Sequence, residues 1–144
     1  RRGRAIGHAA QTFERGSMIW RAAGEIYALS AQSVDGVSNR YWRVPNRWQD
    51  SDPPDDPSLT PPEGLQQPIR GFGLAWRSHP QIRDALGWGV QGEAGYTGTY
   101  QPFERGGMLT GPNGEVYALV REESTSAGPG APAVEQGRYY GPLF

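Results

Sequence analysis

The sequence predicts a mainly β fold: two pseudo-repeated three-stranded meanders packed as one small sandwich- or barrel-like domain, with one short helix over about 72–86. Three observations lead there. Apolar residues are only 36% of the 144-residue chain, which holds 21 Gly and 13 Pro, a balance that favours short strands and tight turns over long helices. A segment near the N-terminus recurs ninety positions later. The only stretch with helical spacing lies between the two copies.

Taken in order, Gln11-Thr12-Phe13-Glu14-Arg15-Gly16-Ser17-Met18 returns as Gln101-Pro102-Phe103-Glu104-Arg105-Gly106-Gly107-Met108. The register continues without a gap through Gly24-Glu25-Ile26-Tyr27-Ala28-Leu29 and Gly114-Glu115-Val116-Tyr117-Ala118-Leu119, and eleven of the nineteen positions from 11 to 29 are identical. Each copy reads as a β-hairpin, with Met18-Ile19-Trp20 and Glu25 to Leu29 as its β-rich arms. In the second copy Gly111-Pro112-Asn113-Gly114 suits a tight turn ending on a positive-φ residue. Gly16 and Gly106 fall inside strands, where glycine marks a bulge or a close backbone approach. Arg40-Tyr41-Trp42 and Arg138-Tyr139-Tyr140 supply a third strand to each copy. The expected organisation is one domain over 1–144, with an internal repeat at 10–48 and 100–144. A strap at 49–69 and a helical segment at 70–88 join the copies.

The strap cannot be regular, because Gln49 to Pro62 contains five prolines and four aspartates in fourteen residues. In the helical segment Phe72 and Trp76 share a face with His79, and Ile82, Ala85 and Leu86 share another. Ser78 is placed as N-cap, Pro80 fits a first turn, and Gly87 stops the helix. The pattern allows one short helix or two turns broken near Pro80. Ser124 to Pro132 reads as a flexible loop tip in the second copy.

Composition removes several function classes. Without cysteine there are no disulfides, thiolate metal sites or cysteine nucleophiles, and two histidines cannot build a multi-His zinc site. A net charge of −1 gives no field that gathers nucleic acid, and no apolar run approaches the ~18 residues of a membrane span. No cofactor is expected. The chain opens at Arg1 rather than Met, which reads as a processed product.

Gly71-Phe72-Gly73-Leu74-Ala75-Trp76, then Leu86-Gly87-Trp88, Glu93 and Tyr100-Gln101-x-Phe103-Glu104-x-Gly106, resemble the LGFP repeat, a module of secreted and envelope-attached bacterial proteins. The likeness covers about 70–120 in full, and 6–29 is similar to the hairpin half of a preceding unit, with Ile6-Gly7 in place of Leu-Gly. Pro68-Ile69-Arg70-Gly71-Phe72-Gly73 and the strap also look like extracellular modules of Chloroflexi-type bacteria. Trp88-Gly89 replaces the Phe-Pro of the tetrad, and about one and a half units are present. The resemblance implies an extracellular or cell-surface location and a non-catalytic role, with wall glycan or an envelope protein as partner. On the same motif, Phe13, Glu14, Gly16, Tyr27, Trp76, Leu86, Gly87, Trp88, Phe103, Glu104, Gly106 and Tyr117 are structural.

Four constellations could carry chemistry. Exposed rings at Tyr41, Trp42, Trp48, Tyr139 and Tyr140 would form a platform on which sugars stack their C–H faces. Glu14 and Glu104 could act as paired glycosidase carboxylates, but acid and base roles require unlike environments and the copies are alike. Each Glu is instead expected to accept backbone N–H groups at its own Gly bulge. Asp50, Asp52, Asp55 and Asp56 offer hard oxygens to Ca²⁺ but lack the EF-hand spacing and its central glycine, so no metal is expected. A Ser17–His79–Asp84 triad can be drawn, yet no serine stands in a nucleophile elbow. Finally, the aromatic tail 136–144 could add as a strand to a neighbour's sheet and propagate a fibre, or complete its own meander.

Overall fold

The computed structural model describes residues 5–34, 36–122 and 134–143. Nine antiparallel strands and two short helices follow in the order β1 (Ile6–Phe13), β2 (Gly16–Arg21), β3 (Glu25–Ser30), β4 (Arg40–Pro45), α1 (Arg70–Ser78), α2 (Pro80–Leu86), β5 (Ala94–Gly98), β6 (Tyr100–Phe103), β7 (Gly106–Thr110), β8 (Val116–Arg121) and β9 (Glu135–Tyr140). They form one sheet in the spatial order β5-β1-β2-β3-β4-β9-β8-β7-β6. Its two end strands, β5 and β6, are separated in sequence by Thr99 alone, so the sheet curls into a nearly closed barrel.

The duplication is visible in the pairing register. Phe13 faces Gly16 and Met18 faces Ala28; Phe103 faces Gly106 and Met108 faces Ala118. Tyr41 faces Leu29 as Tyr139 faces Leu119. The copies meet at two seams, β4 on β9 with Arg40 opposite Arg138, and β1 on β5 with Gly7 opposite Thr97. Each of those pairs joins equivalent residues, so a pseudo-two-fold axis runs through both seams and across the barrel, exchanging its ends. Each meander is therefore four-stranded rather than three-stranded. The additional strand is β1 in the first copy and the bent run of β5 and β6 in the second. The middle of β1, His8, Ala9, Ala10 and Gln11, holds none of the β-branched residues that mark strands.

Strand alternation divides the apolar residues between two cores. Ile19, Tyr27, Leu29, Tyr41, Leu109, Leu119 and Tyr139 fill the barrel interior. On the first copy, outward-facing Phe13, Met18, Ile26, Ala28, Trp42 and Val44 pack under Phe72, Ala75, Trp76, Ile82, Ala85 and Leu86 of the helices. Fully burying a side chain of this size contributes on the order of 1.5–3 kcal/mol, so the helices are held mainly by this face.

The helical segment is broken in two at His79, whose extended backbone (φ −128°) is what the following proline favours. Pro80 opens α2, and Gly87 closes it at φ 76° with its N–H donated to the Arg83 carbonyl. The capping position is His79, not Ser78, and no side chain caps either helix start. Trp76 Nε1 donates to the Gly87 carbonyl at 2.8 Å, which ties the end of α2 back to α1. The strap folds over this layer: Gln67 brackets the Asp56 backbone with two hydrogen bonds, and the Arg70 N–H donates to the Pro54 carbonyl. Among the described residues no helix is long and apolar enough to cross a membrane. The loop expected at Ser124 to Pro132 lies outside the described residues.

Candidate binding surface

The Phe-Glu-Arg-Gly corner between β1 and β2 is a receptor for the end of α2. The Glu14 N–H donates to the Trp88 carbonyl and the Arg15 N–H to the Leu86 carbonyl, each at 2.9 Å. The Glu14 carboxylate accepts the Trp88 N–H at 2.9 Å, and the Arg15 guanidinium donates to the carbonyls of Asp84 and Ala85. A helix C-terminus presents unpaired carbonyls and partial negative charge, so an arginine there both satisfies and complements it. Gly16 is required by proximity, since a Cβ would stand 2.5 Å from Leu86 Cδ2 and 2.1 Å from the Leu29 carbonyl oxygen. Glu14 thus serves the helical segment and not, as the sequence suggested, the bulge of its own hairpin.

Among the described residues no helix lies on the same corner in the second copy. Phe103 is 56% exposed where Phe13 is 3% exposed, and Tyr140 is 46% exposed where Trp42 is 1% exposed. Val120 is 43% exposed, and Met108 and Ala118, the mates of Met18 and Ala28, are half-buried. The three atoms nearest a Cβ on Gly106 all belong to its own sheet, where Leu86 is among the three nearest a Cβ on Gly16. The backbone beneath is otherwise alike: the Arg121 N–H donates to the Arg105 carbonyl as the Ala31 N–H does to that of Arg15. The surface left is a ribbon of Phe103, Met108, Ala118, Val120 and Tyr140, with Glu104 and Arg105 at its corner.

The aromatic platform expected from sequence is not assembled. Tyr41 and Trp42 are buried, facing the barrel interior and the helices, and Tyr139 is buried with its hydroxyl donating to the Ser30 carbonyl. Both faces of the first meander are covered, so alternation there separates two interiors rather than core from solvent. Trp48 is half-buried with Nε1 on the Pro53 carbonyl, leaving Tyr140 as the exposed ring of the five.

Glu14 and Glu104 are carried to opposite ends of the barrel by the pseudo-two-fold relation. The β1–β5 ladder runs from Ala10 opposite Ala94 to Ile6 opposite Gly98; Phe13 lies three positions beyond its one end and Phe103 five beyond its other, twelve positions in all or roughly 40 Å of strand before the bend at Thr99 is allowed for. Paired glycosidase carboxylates sit within about 10 Å. Ser17, His79 and Asp84 make no hydrogen bonds to one another; His79 Nδ1 engages the Ala75 carbonyl at 2.8 Å. His8 is buried against Tyr96, and burial holds its pKa below the ordinary 6.5.

A polar network at one side of the barrel interior gave no motif in the sequence. Arg43 joins Glu25 at 2.6 Å to Glu135 at 3.4 Å, Arg21 pairs with Glu25, and Tyr27 and Tyr41 donate to Glu25 and Glu135. Burial, with the neighbouring carboxylates adding to it, raises both phenols well above the ordinary tyrosine range. Each carboxylate is engaged by arginine and phenol together, the arrangement of a structural clasp rather than of an open catalytic group.

Among the described residues no group of three or more His, Asp or Glu is placed to hold a metal ion. Asp52 accepts the Gln49 N–H, and Asp56 accepts the N–H and hydroxyl of Ser58, which holds its carboxyl below the usual range; both shape turns of the strap. A groove of about 320 Å³ runs beside the helix break, lined by Arg47, Leu74, Ser78 and His79. The chain matches no family model, no curated protein and no solved structure.

Proposed function

We propose that this protein is a non-catalytic, exported bacterial envelope or cell-surface module that binds wall glycan or a neighbouring protein. The uncovered outer face of the second meander carries this reading. A ribbon with Phe103, Val120 and Tyr140 each more than two-fifths exposed is an apolar patch of the kind that marks an interaction site. Its composition favours a protein neighbour over a glycan, because the apolar row offers few polar groups to a sugar's hydroxyls. The likeness of the Phe-Glu-Arg-Gly corners and the Trp76 segment to LGFP repeats supports the envelope location.

A second reading, a fibre protomer linked by strand addition through the tail, has less to support it. Residues 135–140 form β9, paired on both sides within the chain, and the Leu143 N–H donates to the Val116 carbonyl. A nearly closed barrel also leaves little edge for an added strand. Phe144 lies outside the described residues.

The test is retention on purified envelope fractions, with wall polysaccharide and envelope proteins presented separately. Retention that is lost in Val120→Glu and Tyr140→Glu supports the reading. Retention by neither fraction, or retention indifferent to both substitutions, overturns it.

A further inference from the structure

We infer that the open outer face of the second meander docks a helical segment of the α1–α2 kind, supplied by a neighbouring envelope protein. The inference rests on the binding role proposed above and names the chemistry of the partner. It follows from the pseudo-two-fold relation between the copies. Phe13, Met18, Ala28 and Trp42 define the face that α1–α2 cover; Phe103, Met108, Ala118 and Tyr140 repeat it in the same register. The occupied face therefore shows what the open one fits.

Three features of the occupant can be read from the covered copy. Above Gly16 stands Leu86, and no atom of another element is among the three nearest a Cβ on Gly106, so the partner's counterpart to Leu86 at that corner is a leucine-sized side chain. Trp76 and Ile82 share the buried cluster with Phe13 and Trp42, so the partner helix carries aromatic and branched residues toward Phe103 and Tyr140. At the corner, the Glu14 and Arg15 N–H groups, the Glu14 carboxylate and the Arg15 guanidinium receive a helix C-terminus and the amide after it. Glu104, exposed at the equivalent corner, repeats the carboxylate that in the first copy accepts the amide after the helix end. The chain's own α1–α2 are committed to the first copy, so the segment comes from elsewhere.

The probe is the chain's own segment. In one arm a peptide of residues 68–91 is titrated into the full-length protein, with methyl NMR following Val120, Ala118 and Met108 on the open face and Ile26 and Ile82 on the covered one. In the other, a second copy of residues 46–93 is joined after Phe144 by a flexible linker, raising its effective concentration to about the millimolar range. The expected result is a shift of the open-face methyls in the joined form, with Ile26 and Ile82 unmoved. The peptide reproduces that shift, and Val120→Glu or Tyr140→Glu weakens it about tenfold or more.

Three results overturn the inference. Open-face methyls do not move in the joined form, or the shifts fall on Ile26 and Ile82, or the unmodified chain dimerises through this face in a Val120→Glu-sensitive manner. Envelope retention that persists while the helical segment fails to dock would refute this inference and leave the binding role standing.

Discussion

Truncating the two equivalent phenylalanines separates the covered face from the open one within a single molecule. Phe13 and Phe103 occupy the same motif and the same register, so local propensity and hairpin geometry are matched between them. Phe13 is 3% exposed beneath the helices, and Phe103 is 56% exposed. Removing a fully buried phenyl ring costs about 3–5 kcal/mol, through lost transfer energy and the cavity left behind. A ring more than half in water leaves no closed cavity, and its loss should stay below about 1 kcal/mol. For a chain of this size about 1 kcal/mol moves the melting temperature by roughly 3–5 °C, so Phe13→Ala should fall by about 10–20 °C and Phe103→Ala by less than about 5 °C. Denaturant melts with both variants, their m-values compared with the parent, provide the assay. Equal losses at the two sites would refute the assignment of one covered and one open face.

Two further predictions concern protons. The unfolded chain takes up a proton on His8 near pH 6.5 while the buried imidazole resists it, so stability should decline as pH falls below about 6.5. His8→Phe should flatten that decline in urea melts between pH 7 and 5; an unchanged slope would contradict it. Burial raises Tyr27, Tyr41 and Tyr96 beyond the ordinary range and pushes Tyr117 up to about 12. A raised folded-state pKa stabilises below the unfolded value of 10 and ceases to do so as pH climbs past it. An absorbance titration should therefore find these phenols un-ionised at pH 11 in the folded chain and released together on alkaline unfolding. Smooth ionisation near pH 10 with the fold intact would show that they are not buried.

Much of the architecture was legible because duplication fixes a register: two hairpins, a third aromatic strand each, and a helical segment between the copies, expected as one short helix over about 72–86 and found as two. The strand at 6–13 escaped because alanine, glutamine and histidine carry weak β preference, and because its mate at 94–103 is bent and contains glycines and Pro102. The aromatic residues were harder. A tyrosine–tryptophan pair on a strand says that the two rings face opposite ways, but not that both sides are interior. Tyr41 and Trp42 were therefore assigned to a surface that the helices and the barrel remove. The role of Glu14 was likewise hidden, since its partner Trp88 lies seventy-four residues away across an irregular strap. The Glu25–Arg43–Glu135 clasp left no trace because Glu135 comes from a strand ninety-two residues beyond Arg43.

Carbene footprinting of Phe13, Trp42, Phe103 and Tyr140, with and without envelope material, tests the central claim most directly. The isolated protein should be labelled at Phe103 and Tyr140 while Phe13 and Trp42 stay protected, and envelope material should extinguish the first pair. Protection of all four in the isolated chain, or labelling of Phe103 and Tyr140 that envelope material leaves unchanged, would contradict it.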